Sequence, residues 1–137
     1  MTANEIIAAA RSAIGTPFAH QGRIAGKGLD CVGVPAHVAT LLSIDYCDIP
    51  GYSRTPSGGL LESALDAQPS LVRVINGVRP SDLLVMRFKG EPQHVAILAG
   101  DTIIHAYQPA GKVCEHRFTD QWARRVVRAY RFVGVES

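Results

Sequence analysis

A chain of 137 residues, 47% hydrophobic and 19% charged, has the composition of one globular domain over residues 1–137, which excludes a disordered or fibrous chain. A formal net charge of +2 is too small to predict a nucleic-acid partner, and the modest basic run Arg124, Arg125 and Arg128 reads as a solvated face. Three cysteines with no CxxC pair support neither a disulfide framework nor a zinc knuckle, and no apolar stretch is long enough to insert in a membrane.

In chain order, Thr2 and Glu5 have capping-box spacing, and Ile6, Ile7, Ala10 and Ile14 share one helical face. Gly15 stops that helix and Pro17 confirms the stop. The glycine-rich stretch 15–30 reads as a loop. A second helix is predicted to begin very near Cys31 with Asp30 as N-cap, because Val34, Val38, Leu41 and Leu42 recur at helical spacing and Pro35 is tolerated only in a first turn. Residues 44–57 are loop-like, and "GGLLESALDAQ" predicts a short third helix. The period then changes from 3.6 to 2. "LVRVI", "DLLVMRF", "HVAILAG", "TIIHAY", "KVCEHRF" and "VVRAYRF" read as strands, with a helical turn at "TDQWAR". Helices first and strands second predict an α+β domain with an antiparallel sheet.

The stretch "HVAILAGDTIIHAY" carries the first chemical signal. Gly100-Asp101 is a two-residue hairpin turn, so Ala99 pairs with Thr102, Ala96 faces His105 and His94 faces Tyr107. His94 and His105 then share a sheet face on diagonal positions, with Cα atoms roughly 7–8 Å apart. Such a pair can ligate a metal, exchange protons, or simply hydrogen-bond. A metal is the weakest of these, since no carboxylate or cysteine at ligand spacing joins them.

Cys31, at a predicted helix start, adds a second signal. The helix dipole and a neighbouring imidazole both favour thiolate, and a third polar group can orient the base. Cys47 and Cys114 read as small buried hydrophobes, and His37 and His116 as surface or packing residues.

Four blocks, "GTPFAHQG", "GLDCVG", "RPSDLLVMRF" and "HVAILAGDTIIHAY", together resemble the NlpC-type cysteine peptidases of the papain-like clan. The closing "WARRVVRAYRF" is similar to the branch found in phage tail modules and gene-transfer agents. The resemblance implies a papain-like α+β fold with the nucleophile helix packed on an antiparallel sheet. It implies Cys31 as nucleophile, His94 as general base and His105 as its orienting partner, with Phe18, His20 and Asp30 at the substrate cleft and Asp30 also a structural cap. Phe18 stands where the family commonly has tyrosine, His20 and Gln21 replace tryptophan and the first glycine, Val32 replaces a common serine, and Ser81 replaces a glycine before Asp82.

The implied reaction is hydrolysis of peptidoglycan stem peptides, commonly between D-γ-glutamate and diaminopimelate, with no cofactor and no metal. The implied partners are the stem peptide and phage tail proteins, and the absence of a signal-peptide pattern leads us to expect cytoplasmic synthesis followed by delivery on a virion or tail. Two other readings stand beside it: another thiol-dependent amidase or acyltransferase, and a structural tail-tip protein with little activity.

Overall fold

The computed structural model describes residues 1–49, 51–53 and 58–136. Part of the predicted 44–57 loop therefore lies outside the described residues. Helix α1 spans Ala3–Arg11. Thr2 caps it by accepting the Glu5 N–H at 3.1 Å, and Ile6, Ile7 and Ala10 are buried along one face. Ile14 does not join that face. It lies past the helix end and is 44% exposed, because the chain turns away at Arg11.

The stretch expected to be loop holds a small antiparallel ribbon, β1 (Arg23–Ile24) with β2 (Gly28–Leu29). Helix α2 follows at Gly33–Leu41 and α3 at Leu60–Asp66. The strands are β3 (Leu71–Arg73), β4 (Leu83–Phe88), β5 (Glu91–Leu98), β6 (Thr102–Tyr107), β7 (Lys112–Arg117) and β8 (Val126–Phe132). A short helix α4, Asp120–Ala123, precedes β8.

Strands β3 to β8 form one antiparallel sheet in the order β3-β8-β4-β5-β6-β7. Side chains alternate across it, so the two faces bury different sets. Leu83, Val85, Val95, Ile97 and Ile104 face the helices, where Ile6, Val34, Val38 and Leu65 meet them. Leu84, Met86, Ala96, Leu98 and Ile103 face the other way and are covered by Phe118 and Trp122 from the α4 segment. The sheet is thus buried on both faces, and the fold is the expected α+β arrangement with α2 packed on an antiparallel sheet. Each fully buried Ile or Leu in these layers contributes roughly 1.5–3 kcal/mol.

The turn into β4 contains a strained residue. Ser81 is buried with φ +80°, a left-handed conformation that disfavours any side chain, and its N–H donates to the Leu98 carbonyl at 2.7 Å. Glycine at this position removes the strain and keeps the hydrogen bond. Ser81→Gly is therefore expected to raise stability by about 1 kcal/mol. A urea midpoint equal to or below that of the wild type would show that the conformation carries no such cost.

Candidate active site

The site is built on the buried carboxylate of Asp30. It accepts the Gln21 N–H at 2.8 Å, the Gly33 N–H at 2.9 Å, the Arg23 guanidinium at 3.0 Å, and the Tyr52 hydroxyl. Both oxygens are engaged within the chain, so Asp30 borders the cleft but has no free acceptor for a substrate. Its bonds give it a structural role at the cleft wall. Its bond to Gly33 caps the helix from three residues upstream.

The helix itself begins at Gly33, two residues later than expected, and Cys31 sits in the turn before it. Pro35 then falls inside the first turn, where no N–H is required. Backbone packs directly on backbone here: a Cβ on Gly33 would lie 2.4 Å from the Gly22 carbonyl oxygen. Gln21 adopts φ +60°, which accounts for a glycine preference at that position.

Strands β5 and β6 pair through Ile97 with Ile104 and Leu98 with Ile103. Upstream of Ile97 the ladder between them is not continued, and the Cys31 thiol lies against this stretch of β5. Its Sγ donates to the Gln93 carbonyl at 3.9 Å and receives the Val95 N–H. The thiol is not the expected thiolate. Burial, and next the Asp30 carboxylate, raise it to about 12, outweighing the Val95 and Val32 N–H groups and the Arg23 charge.

A row of imidazoles runs across β5, β6 and β7. The hairpin has the predicted register, with the Ala99 N–H on the Thr102 carbonyl, and His94 Nε2 meets His105 Nδ1 at 2.6 Å. His116, read from sequence as a surface or packing residue, extends the row: its Nε2 lies 2.8 Å from His105 Nε2. Its Nδ1 lies 3.0 Å from the Arg117 carbonyl oxygen.

That carbonyl sets the direction of every bond in the row, because it can only accept. His116 must carry its proton on Nδ1, which leaves Nε2 a lone pair. His105 then donates from Nε2 and accepts at Nδ1, and His94 donates from Nε2. The remaining nitrogen, His94 Nδ1, holds the free lone pair of a base.

The row is neutral. Burial, then His105 and Arg125, push His94 well below the usual histidine range, and burial with His116 lowers His105 to about 3. Aromatic rings enclose the pair. Phe88 stacks on His94 at 5.0 Å, Tyr107 stacks on His105 at 5.1 Å, and Trp122 stands edge-on to His105 at 5.2 Å. Arg125 lies over Phe88 at 4.9 Å and Arg128 pairs with Glu62, so these two are not simply a solvated face.

The thiol opens on a cleft of about 490 Å³ lined by Phe18, His20, Tyr52, Leu60, Leu61 and Gln93. Phe18 and His20 both line this cleft. Sequence reasoning missed Tyr52, which packs edge-on to His20 at 5.4 Å. Its hydroxyl is held by Asp30 and Arg23, and burial followed by the Asp30 bond raises its pKa.

His37 bonds Ser12 Oγ at 2.8 Å and ties α2 to α1, a packing role as expected. Cys47 is exposed rather than buried, because it lies in the loop after α2. Cys114 is partly buried and stands directly across from His105 on β7, so a cysteine does join the histidines at ligand range.

The Cys31 thiol beside the unpaired stretch of β5, and a neutral imidazole on that strand, offer the two groups that thiol-dependent acyl transfer requires, a nucleophile and a proton acceptor. No family model matches the chain, and no curated protein matches it either. Solved structures do. The NlpC/p60 domain of the peptidoglycan hydrolase SagA is 26% identical, with a TM-score of 0.66 over 96% of this chain and 99% of that one. An NlpC/P60 family protein from Bacillus cereus is 21% identical, with a TM-score of 0.69 over 97% of this chain and 41% of that one. The peptidoglycan hydrolase RipB from Mycobacterium tuberculosis is 19% identical, with a TM-score of 0.63 over 98% of this chain and 65% of that one. The chain therefore has the fold of NlpC/p60 domains, and it spans less than half the length of the Bacillus cereus protein.

Neutral buried imidazoles make a pH prediction. The folded pKa of His105 is depressed, so the folded chain binds fewer protons than the unfolded chain between about pH 3 and 6.5. The associated stability is present above the unfolded pKa and is lost as pH falls toward 3, by roughly 1.4 kcal/mol per pH unit at most. Urea midpoints from pH 7 to pH 4 should fall less steeply for His105→Gln than for the wild type. Equal slopes would mean that His105 does not contribute.

Proposed function

We propose that this chain is a cysteine peptidase of the NlpC/p60 family that hydrolyses amide bonds in the stem peptides of bacterial peptidoglycan, with the D-γ-glutamyl–diaminopimelate bond as its target. The observation that carries this reading is the imidazole row with its lone pair left at His94 Nδ1, on the strand whose main chain contacts the Cys31 thiol. The descriptions of SagA and RipB as peptidoglycan hydrolases support it.

In this reading the resting pair is neutral. His94 Nδ1 takes the thiol proton as sulfur attacks the scissile carbonyl, and the imidazolium is stabilised by its Nε2–H bond to His105. His94 then returns the proton to the leaving amine. Water, deprotonated by the same nitrogen, releases the acyl group from Cys31. His116 is a positioning residue that acts through His105.

The closing "WARRVVRAYRF" segment supports assignment to the tail-associated branch, with delivery on a tail and tail proteins as partners. In this chain that segment supplies Trp122, which packs against His105 and His116, and Arg125, which lies over Phe88. The raised thiol favours a second reading, a tail-tip protein that keeps the fold with little activity.

Digestion of borohydride-reduced stem peptides, read by mass spectrometry, tests the assignment. Wild type is expected to release a D-γ-glutamyl product, and Cys31→Ala to release it at least roughly a thousandfold more slowly. Turnover by Cys31→Ala at the wild-type rate refutes the nucleophile. No product together with a Cys31 that iodoacetamide fails to label at neutral pH selects the tail-tip reading.

His116→Ala is expected to lower kcat roughly tenfold or more with little change in KM, because the lost bond orients the base and not the substrate. Unchanged kcat in a folded variant would remove His116 from the row.

A further inference from the structure

The register of β6 and β7 places His105 opposite Cys114 and Ile103 opposite His116, so His105, Cys114 and His116 lie on one sheet face. Their ligand atoms all fall within 4.8 Å of one another. Tetrahedral zinc, with Zn–N near 2.0–2.1 Å and Zn–S near 2.3 Å, needs ligand atoms roughly 3.3–3.6 Å apart. The two Nε2 atoms, 2.8 Å apart, would separate slightly and the sulfur would close in. These are side-chain adjustments, and β7 is the edge strand of the sheet, with Cys114 and His116 both partly exposed.

A second feature points to a metal independently of the spacing. A histidine that binds a metal through one nitrogen characteristically donates its other N–H to a carbonyl or carboxylate. His116 already does this: Nδ1–H is held by the Arg117 carbonyl, and Nε2 presents its lone pair toward His105, with Cys114 in the same cluster of ligand atoms.

We propose that His105, Cys114 and His116 form a binding site for a zinc-class divalent ion, with an open fourth position for water, and that filling this site switches off the thiol centre. The switching half of the proposal rests on the peptidase reading above. The binding half does not.

The switch follows from the direction of the imidazole row. A metal on His105 Nε2 displaces the proton there, so neutral His105 must carry its proton on Nδ1. Nδ1 then donates to His94 Nε2, which becomes the acceptor. Neutral His94 is left with its proton on Nδ1, the nitrogen that has to receive the proton of Cys31. In balance, the Cys114 thiol proton and the His105 Nε2 proton are released, one proton is taken up at the His94 end, and one proton leaves per ion bound. The metal thus reverses the tautomer chain that the Arg117 carbonyl otherwise dictates, without touching Cys31.

Binding is tested in Cys31→Ala/Cys47→Ala protein, in which Cys114 is the only thiol. Calorimetric titration with zinc is expected to show one ion per chain. Cobalt is expected to give the near-ultraviolet band of a thiolate-bound ion. Adding Cys114→Ser should remove that band and weaken zinc binding roughly tenfold or more. If that variant does not fold, His116→Gln in the same background is expected to weaken binding similarly. Absence of zinc binding in the double-alanine protein overturns the proposal.

Switching is read as the rate of iodoacetamide labelling at Cys31, followed by peptide mapping with and without zinc. Zinc is expected to slow labelling of the wild type roughly tenfold, reversibly with chelator, and to have little effect in Cys114→Ser, each variant being compared with its own metal-free rate. Equal slowing in Cys114→Ser would show that the ion sits on Cys31 and His94 and would overturn the switch. These readouts need no stem-peptide turnover. A failed digestion with intact metal results would count against the peptidase reading alone.

Discussion

The Asp30 carboxylate is the interaction on which the site depends. It is 3% exposed, and its oxygens gather the main chain of the preceding loop, the first helical N–H, a guanidinium and a phenol. A buried charge with that many donors is stable where it is, and removing a donor would leave an uncompensated ion. The turn between Asp30 and Gly33 is therefore fixed in space, and Cys31 with it. The glycines serve the same end. Gly22 and Gly33 let the loop and the helix start approach more closely than any Cβ would permit. The same carboxylate also raises the Cys31 thiol, so the group that fixes this turn favours the protonated form.

In the proposed peptidase reading, that coupling sets the demand on the base. A thiol raised by burial cannot wait as a preformed thiolate, so its proton has to leave during the reaction. The acceptor must then have a free lone pair at the right nitrogen at all times. A single imidazole can carry its proton on either nitrogen. Three in a row, ended by a carbonyl that only accepts, have one consistent arrangement. Phe88, Tyr107 and Trp122 enclose His94 and His105, and burial keeps these two imidazoles neutral.

The strands were legible because half-buried β-structure alternates with period 2, and "DLLVMRF", "TIIHAY", "KVCEHRF" and "VVRAYRF" agree with β4, β6, β7 and β8 to within a residue at either end. The His94–His105 contact was legible because Gly100-Asp101 permits one tight turn and therefore one register, and Gly100 does adopt φ +93°. The next hairpin has no such marker. Its connection, Gln108 to Gly111, is a 3-10 turn closed by a glycine at φ +74°, so the pairing of His105 with Cys114 was not fixed by a two-residue motif. His116 and Cys114 were consequently read one at a time. The strands β1 and β2 have two residues each, too few for any period to show.

The protonation states were the least legible feature, for a physical reason. A thiol before a helix suggests a lowered pKa, because dipole and partner are visible in the sequence while desolvation is not. In the folded chain the helix contributes less than the burial does, since the first N–H of α2 is already committed to Asp30. The positive end of the helix is neutralised by the residue that defines it. In the proposed peptidase reading, the proton of Cys31 goes to His94, and His94 is joined through His105 to His116 on the edge strand β7.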